Sequence, residues 1–296
     1  MPIREVTIIG AGPAGLATAI QLKRSGVDFI LFEKSEVGGL LANANLVENY
    51  PGFPGGIPGF QLVERLQQQI EEISVRVTFE KVTALHYENG LFLTTTGRQV
   101  YPSRRVVVAS GTRPIAFSGG EIPESLHDRV YYEILPIQQI EEKQVAVVGG
   151  GDLAFDYALN LGRKNDVIIL NRGEETKCLA LLWERAQASP RIRYLDRTCI
   201  SRIEEKGQNR IELRCISVSR EVDIQADYLI FAIGREPQLE FMTDELQSEA
   251  QELENMGVLY LIGDVKNGIY RQAAIAVGDG VLAAMKIHRL LEESTL

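Results

Sequence analysis

The feature that most constrains the fold of this chain is a glycine-rich turn that occurs twice, each time between an apolar strand and a helical segment. The first copy has the sequence GAGPAG at 10–15 and follows the apolar residues 4–9. Gly10 permits a tight turn, Gly12 lets backbone amides approach a pyrophosphate, and Gly15 allows close contact between helix and strand. This order predicts a dinucleotide-binding unit.

An acidic residue supports this interpretation of the first turn. A second apolar run, 29–32, ends at Glu33, and an acidic side chain at this position binds the hydroxyl pair of a ribose. Strand, turn, helix, strand and acid in this order meet the requirements of a Rossmann unit. The first candidate site residues are therefore Gly10, Gly12, Pro13, Ala14, Gly15 and Glu33.

The second copy has the sequence GGGDLA at 149–154, after the strand-like residues 144–148 and before a helix that we expect to end near residue 161. The next strand, 167–170, is followed by Asn171 and Arg172 instead of an acid. A guanidinium at this position lies beside the 2′-substituent of an adenosine ribose, which favours NADPH over NADH. The second set of candidates is Gly149, Gly151, Asp152, Leu153, Ala154, Asn171 and Arg172.

Composition excludes several classes of protein. The chain has 296 residues, a formal net charge of −9 and no basic block, so we do not expect it to bind nucleic acid non-specifically. Polar residues interrupt even the longest apolar run, 273–287, before it reaches the roughly 20 residues of a membrane span. The N-terminus lacks the pattern of a secretory signal, which predicts a cytoplasmic protein without a membrane partner.

The cysteines and histidines give no metal-site signature. The three cysteines, Cys178, Cys199 and Cys215, are too few and too widely spaced for a disulfide scaffold or a Cys-x-x-Cys motif. The three histidines are scattered along the chain. We expect no metal, and we expect Cys199 and Cys215 to be small buried apolar residues.

Strand-rich connections complete the predicted organisation. Residues 82–86 and 91–95 form a hairpin through Asn89-Gly90, and residues 201–205 and 210–217 form another through 207–209. A long amphipathic helix covers about 270–293. We therefore predict an α/β protein with two Rossmann-like three-layer domains, each accompanied by a small antiparallel sheet.

Over essentially its whole length, the chain resembles the low-molecular-weight thioredoxin reductases of the two-dinucleotide-binding flavoproteins. The blocks that carry the resemblance are Gly10–Gly15, Gly38-Gly39, VENYPGFP at 47–54, ASGT at 109–112, GGGD at 149–152, AIG at 232–234, GDV at 263–265 and YRQA at 270–273. The resemblance implies a discontinuous FAD domain, 1–114 and 241–296, an NADPH domain, 115–240, and a homodimer.

The same resemblance implies further cofactor-binding residues. Asp264 would lie on the ribityl chain of FAD, and Arg271, Gln272 and Ala273 would lie beside the isoalloxazine ring. The other positions implied in this way are Lys34, Gly39, Leu40, Asn49, Val82, Ser110, Gly111, Gly234 and Gly263. The sequence departs from the family at Leu40, where glutamine is usual, at Leu153, where serine is usual, and at 171–173, where the family has His-Arg-Arg.

The largest departure is the missing dithiol. Thioredoxin reductases carry a Cys-x-x-Cys before the second glycine motif, and Tyr132-Glu133-Ile134-Leu135 stand at that place here. A dithiol relay needs one thiolate to attack and a second thiol to resolve, so this segment predicts no thioredoxin reduction by the family's route. Tyr132 is either a residue that packs near the flavin or an ordinary packing residue.

A partial similarity connects the chain with the thioredoxin-reductase-like ferredoxin-NADP(+) reductases, which lack the dithiol. It rests on Val130-Tyr131-Tyr132 and on Asp156-Tyr157 in the second helix. Our leading hypothesis is an oxidoreductase that passes electrons from NADPH through FAD to an external acceptor, favouring a ferredoxin-like protein. The basic residues that could form a docking face for it are Arg163, Lys164, Arg191, Arg193 and Arg197.

Two alternatives stay open at this point. In the first, the flavin passes its electrons to oxygen, a quinone or another small organic acceptor. In the second, the chain is a non-catalytic flavin-binding sensor or assembly protein. The fold alone does not choose among the three, because one fold serves many acceptors.

Overall fold

The computed structural model describes residues 2–207, 210–218 and 220–293, which form two compact units. Unit 1 consists of Met1–Ala42, Val47–Arg113 and Glu236–Leu296. Unit 2 consists of Asn43–Leu46 and Pro114–Arg235. Each unit contains one of the two glycine turns.

The elements of unit 1 follow the predicted order of strand, helix and strand. Its helices are α1 (Pro13–Arg24), α2 (Gly59–Glu72), α5 (Asp244–Asn255) and α6 (Ala273–Glu293), with short 3₁₀ turns at Gly39–Asn43 and Gly263–Val265. Its strands are β1 (Arg4–Ile9), β2 (Phe29–Glu33), β3 (Val77–Phe79), β4 (Val82–Glu88), β5 (Leu91–Thr96), β6 (Val100–Val108), β7 (Thr112–Pro114), β16 (Arg235–Pro237) and β17 (Leu259–Leu261).

Seven of these strands form one sheet in the order β3-β2-β1-β6-β5-β4, with β17 also paired to β6. The strands β3, β2, β1, β6 and β17 run parallel, and β5 and β4 are antiparallel. The predicted hairpin turns at Asn89 and Gly90, both with positive φ. We expected a separate small sheet here, but β6 is long enough to pair with β5 over its first residues and with β1 over its last.

Helices cover both faces of this sheet. On one face, α1 and α6 pack through residues such as Leu16, Leu22 and Ile287. On the other face, Phe241, Met242 and side chains of α5 cover β6 and β17. The parallel strands are buried on both sides, as is usual for α/β folds, and their carboxyl ends lead into the glycine turn and Glu33.

Unit 2 repeats the plan around a smaller sheet. Its helices are α3 (Asp152–Leu161) and α4 (Ala180–Ala188), with 3₁₀ turns at Glu124–Arg129 and Leu135–Ile137. Its strands are β8 (Val130–Tyr131), β9 (Gln144–Val148), β10 (Asp166–Leu170), β11 (Ile192–Leu195), β12 (Thr198–Lys206), β13 (Arg210–Ser217), β14 (Arg220–Ala226) and β15 (Tyr228–Phe231).

Five parallel strands of unit 2 have the order β11-β10-β9-β15-β8, and β12-β13-β14 form a separate antiparallel sheet. The predicted hairpin corresponds to β12 and β13, whereas Gln208 and Asn209 of its turn lie outside the described residues. The third strand, β14, was not predicted. Only Ile224 and Ala226 of β14 are buried, so its sequence lacks a clear alternation of apolar and polar residues.

The chain passes from one unit to the other through β7 and β16, which pair with each other. The sequence placed the second boundary after residue 240, whereas 236–240 belong to unit 1. Hydrogen bonds explain the difference, because Gln238 donates its backbone N–H to Gly111 O at 3.0 Å. Within residues 2–207, 210–218 and 220–293, none of the helices has the length and hydrophobicity of a membrane span.

Candidate functional site

The first glycine turn joins β1 to α1, and its backbone packs closely against neighbouring backbone atoms. Gly10 has φ +103°, and a Cβ atom there would lie 2.4 Å from the carbonyl oxygen of Ala109. A Cβ atom on Gly15 would lie 1.8 Å from the oxygen of Gly10. Both contacts are with backbone atoms, so these two positions require glycine.

Gly12 differs from its neighbours because the space beside it is open. It precedes α1 in extended backbone, no side chain caps the helix, and no atom lies within 4 Å of a Cβ placed there. Pro13 opens the helix, where its missing N–H costs no hydrogen bond. The uncapped amides and the helix dipole attract an anion, and the open space leaves room for a phosphate group.

Glu33 is buried at the end of β2, beside this turn. Its Oε2 accepts the N–H of Ala11 at 2.9 Å, and its Oε1 accepts the N–H of Ser35 at 3.0 Å. These two bonds fix the carboxylate at the rim of a cavity of about 330 Å³. The cavity brings together five predicted residues, Gly10, Glu33, Lys34, Val82 and Ser110.

Gln238 lines the same cavity and was missed by the sequence analysis. Its side-chain oxygen accepts a hydrogen bond from Lys34 at 3.1 Å, and its backbone oxygen accepts one from the Ser110 hydroxyl at 2.6 Å. Gly111, with φ +68°, accepts the backbone N–H of Gln238. These partners are more than 100 residues apart in the chain, so no local pattern could have revealed them.

The remaining predicted residues of unit 1 lie on three loops. Asn49 donates its amide to Gln272 at 2.7 Å, which joins the loop before α2 to the start of α6 at Ala273. Gly263 and Asp264 form the 3₁₀ turn after β17, where a Cβ on Gly263 would lie 2.9 Å from Ala14 Cβ. Gly39 and Leu40 begin the other 3₁₀ turn, and a Cβ on Gly39 would lie 3.5 Å from Gly12 Cα.

The second glycine turn, in unit 2, repeats the geometry of the first. Gly149 has φ +152°, and a Cβ there would lie 2.4 Å from the oxygen of Ala232. Gly151 precedes α3 in extended backbone, without a side-chain cap and with no atom within 4 Å of its Cβ position. Leu153 and Ala154 pack against the core of unit 2, and the Cβ of Ala154 lies 3.1 Å from a Cβ placed on Gly149.

Asp152 would repel a phosphate at this helix terminus, but its carboxylate is already engaged. Its Oδ1 accepts the N–H of Leu179 at 2.7 Å, on the loop that follows β10. The same loop donates to the Gly150 oxygen from the Lys177 N–H at 2.7 Å and from the Thr176 hydroxyl at 2.9 Å. The amides that begin α3 therefore remain available for an anion.

Asn171 holds this loop in place. Its amide donates to Glu175 O at 3.0 Å and to the Tyr194 hydroxyl at 2.8 Å, and its Oδ1 accepts the N–H of Gly173. Arg172 is exposed and, among the described residues, takes part in no hydrogen bond or ion pair. Its guanidinium is therefore available to an anionic ligand. Gly234, the last predicted residue of unit 2, follows β15 and has φ +128°.

In segment 132–135, which the sequence aligns with the dithiol of thioredoxin reductases, the first three side chains have partners and the side chain of Leu135 is exposed. The Tyr132 hydroxyl accepts the N–H of Phe117 at 2.9 Å, and its ring lies 5.5 Å from that of Phe231. Ile134 is completely buried, and Leu135 donates its N–H to Asn43 Oδ1 at 3.1 Å. The place of Tyr132 beside a bound flavin stays a prediction.

Glu133 is the polar centre of this segment. Its carboxylate forms an ion pair with Arg235 and accepts a hydrogen bond from the buried Tyr157 hydroxyl at 2.6 Å. Burial and the adjacent carboxylate raise the pKa of Tyr157, which therefore stays protonated and donates. Nearby, burial raises the pKa of Asp156 to about 6, although the Asn45 N–H bound to its carboxylate acts in the opposite direction.

The three cysteines lie in unit 2, on the loop after β10 and in the strands β12 and β13. Cys178 is half-buried on the loop after β10, and Cys215 is buried in β13, where burial raises the pKa of its thiol to about 11. The prediction that Cys199 is buried is wrong, because its side chain lies on the outer face of β12. In the described residues, no group of three or more His, Cys, Asp or Glu side chains is arranged to hold a metal ion.

Comparison with known proteins agrees with this geometry. The pyridine nucleotide-disulphide oxidoreductase family matches residues 4–280. The thioredoxin reductase of Mycolicibacterium smegmatis is 27% identical, with 98% of this chain and 97% of that protein covered. The structure of Lactococcus lactis thioredoxin reductase has a TM-score of 0.87 at 25% identity and covers 98% of this chain and 99% of that one.

A bacillithiol disulfide reductase from Bacillus cereus has the same fold, with a TM-score of 0.76 at 20% identity and coverage of 98% of this chain and 100% of that one. These similarities confirm the predicted class of two Rossmann-like domains. Thioredoxin-reductase-like proteins use FAD and NADPH, as predicted. The chain belongs to the pyridine nucleotide-disulphide oxidoreductase family, as an FAD-dependent NAD(P)H oxidoreductase.

Proposed function

We propose that this oxidoreductase passes electrons from NADPH through FAD to an external acceptor without a dithiol relay. When bound, FAD and NADPH supply the hydride chemistry, and the protein supplies binding, orientation and exclusion of water. In this proposal unit 1 binds FAD and unit 2 binds NADPH. The open glycine turns before α1 and α3 support both assignments.

We assign the following roles to the predicted cofactor-binding residues of unit 1 and to Gln238. The amides after Gly12 hold the pyrophosphate, and the Glu33 carboxylate accepts hydrogen bonds from the adenosine ribose. Gln238 keeps Lys34 and Ser110 at the cavity beside Glu33. We assign Asp264 to the ribityl chain and Arg271, Gln272 and Ala273 to the flavin ring.

We infer the absence of a dithiol relay from the residues of segment 132–135. The 296 residues contain three cysteines, and none of them stands in that segment. In the structure Tyr132 lies in an aromatic cluster, Glu133 in an ion pair and Ile134 in the core, and the side chain of Leu135 is exposed. None of these groups can form or exchange a disulfide.

Charge favours an acidic protein carrier, such as a ferredoxin, as the acceptor. Of the five basic residues singled out in unit 2, Arg163 donates to Asn45 Oδ1, while Lys164 and Arg197 form ion pairs with acidic neighbours. Arg191 and Arg193 are exposed and have no ion pair among the described residues. They are the two guanidinium groups of this set that an acidic protein can bind directly.

An anaerobic reaction of the FAD-loaded protein with NADPH tests this proposal. We expect the reduced protein to reduce ferredoxin, and not thioredoxin or an aromatic disulfide. The double variant Arg191→Glu/Arg193→Glu is expected to slow ferredoxin reduction about 10-fold at low salt through charge repulsion, with unchanged flavin reduction by NADPH. The control, Arg202→Glu, reverses the charge of a different exposed arginine, on β12, that forms an ion pair with Glu204.

Other outcomes of this reaction separate the alternatives. Reduction of thioredoxin would contradict the absence of a dithiol relay. Turnover with quinone or oxygen alone would replace the protein carrier with a small acceptor. A flavin that neither nicotinamide reduces would favour the sensor or assembly role. The homodimer that we propose from the family resemblance is checked in the same preparation by light scattering.

Arg172 is expected to determine the choice between the two nicotinamide cofactors. Replacement by alanine removes one charged contact with a 2′-phosphate, which corresponds to about 10- to 100-fold weaker NADPH binding. NADH lacks this phosphate, so its binding should stay unchanged. The measurement is the rate of flavin reduction at increasing concentrations of each cofactor, and an equal loss for both would contradict the assignment.

A further inference from the structure

Asp279 connects α6 with the turn that carries Asp264. Its Oδ2 atom accepts the backbone N–H of Gly263 at 3.1 Å and the side-chain amide of Asn267 at 2.6 Å. One carboxylate oxygen therefore binds both ends of the segment 263–267. Charge-assisted hydrogen bonds of this kind are stronger than those between neutral groups.

The segment between these two donors is a tight turn. Gly263 has φ +70°, and its carbonyl oxygen accepts the N–H groups of Lys266 at 3.0 Å and of Asn267 at 3.1 Å. The turn also packs closely on the start of α1, since a Cβ on Gly263 would approach Ala14 Cβ to 2.9 Å. Small changes at Gly263 would consequently move Asp264 relative to the first glycine turn.

Asp279 lies on a part of α6 that is packed closely against α1. At the next residue, Gly280, α6 touches α1 so closely that a Cβ would lie 2.2 Å from the oxygen of Ala14. The hydroxyl of Thr18 lies between the helices, 3.2 Å from Gly280 O and 2.9 Å from Ala14 O. Asp279 thus stands beside the point where α6 is fixed to α1.

Asp279 lies outside the cavity at Glu33. It lines a different cavity, of about 640 Å³, together with residues of α5, β17 and α6, and none of the residues around it lines the cavity at Glu33. Its carboxylate accepts hydrogen bonds from Gly263 and Asn267. Its effect on a ligand bound near Asp264 is therefore exerted through these two residues.

We propose that Asp279 is a positioning residue for FAD, which it serves by holding the Gly263–Val265 turn on the first turn of α1. This inference rests on the proposed FAD site of unit 1. A turn that is fixed before binding costs less conformational entropy when the ligand arrives, and Asp264 then meets the ribityl chain without rearrangement. Loss of the two hydrogen bonds would loosen the turn and speed the release of FAD.

A charge exchange between positions 279 and 267 tests this role. In Asn267→Asp, two carboxylates face each other, so the bond between the side chains is lost. In Asp279→Asn, the amide oxygen can still accept both N–H groups, but without the negative charge that strengthens these bonds. We expect Asn267→Asp to release FAD about 10-fold faster than the wild type and Asp279→Asn about 3-fold faster. In the double variant, the amide at 279 donates to the carboxylate at 267 and accepts the Gly263 N–H, so the rate is expected to return to within about 3-fold of the wild type.

The measurement is the rise in flavin fluorescence as the holoenzyme is diluted, together with the visible circular dichroism of the bound flavin. Glu292→Gln, an exposed change on the same helix, is the control. Unchanged FAD release in Asn267→Asp, or a double variant that releases FAD as fast as Asn267→Asp, would overturn the inference. Wild-type protein that binds no FAD would overturn the proposed FAD site as well, which distinguishes the two failures.

A purely structural role would move a different quantity. It predicts that the unfolding temperature of the FAD-free protein falls in all three variants and that FAD release follows it. A positioning role predicts that the flavin dichroism changes in the single variants and returns in the double variant, while the unfolding temperature of the FAD-free protein stays near that of the control. Parallel losses of stability and affinity without recovery would overturn the proposal.

Discussion

Replacing Gly12 with aspartate is expected to abolish FAD binding, with a loss of affinity of at least about 100-fold, while unit 1 stays folded. The new carboxylate would enter the open space before α1, where no atom lies within 4 Å of the Cβ position. It would then accept hydrogen bonds from the amides that otherwise hold the pyrophosphate and would repel the phosphate charge. Purified Gly12→Asp protein should therefore be colourless and should not bind added FAD.

The fold should tolerate this change because Gly12 does not use the conformational freedom of glycine. Its φ is −76° and its ψ is −177°, values that any residue adopts. Aspartate is also a preferred residue before a helix, and its effect on stability relative to glycine is only a few tenths of a kcal/mol. A colourless protein with an unchanged circular dichroism spectrum would separate loss of the ligand from loss of the fold.

Gly151→Asp is the matched variant in unit 2. Gly151 also precedes its helix in extended backbone with open space around its Cβ position. We expect this protein to keep its FAD and its yellow colour but to lose rapid reduction by NADPH. Retention of FAD by Gly12→Asp, or unimpaired NADPH reduction of Gly151→Asp, would contradict the assignment of the cofactors to the two units.

Much of the fold could be predicted because local patterns determine it. The strands β1 and β9 are short apolar runs, each followed at once by a glycine turn and a helix, and these three signals agree. The Asn89-Gly90 turn identified the hairpin in the same way. The sequence did not predict strand β14, because buried and exposed residues alternate only over its last residues. It did not predict the pairing of β5 with β6, because pairing between strands depends on distant parts of the chain.

In the candidate site, too, the residues that could be predicted are those that local sequence determines. Glycines with required backbone conformations, such as Gly10 and Gly149, are visible in the sequence because their spacing is local. Gln238 and Asp279 are not, since each acts through partners that the fold brings to it. The sequence predicts Asn171 as a cofactor-binding residue, and only the fold shows that its three hydrogen bonds hold the loop after β10.

The polar group at Glu133 explains how the segment without a dithiol is held in place. Only 11% of the Arg235 side chain and 24% of the Glu133 side chain are exposed. Two opposite charges that are largely removed from solvent stabilise each other, whereas either charge alone would lose its hydration without compensation. Tyr157 adds a third contact, since its hydroxyl donates a hydrogen bond to Glu133.

Of the changes to this polar group, loss of the Arg235 charge is therefore expected to destabilise unit 2 most. Arg235→Met leaves the Glu133 carboxylate half-buried and unpaired, which costs about 3 kcal/mol, whereas Tyr157→Phe removes one hydrogen bond to a charged group and costs about 1.5 kcal/mol. The double variant Glu133→Gln/Arg235→Met removes the unpaired charge, and we expect it to be more stable than Arg235→Met. Urea unfolding of the three variants measures these differences, and an Arg235→Met protein as stable as the wild type would show that the ion pair contributes nothing to unit 2.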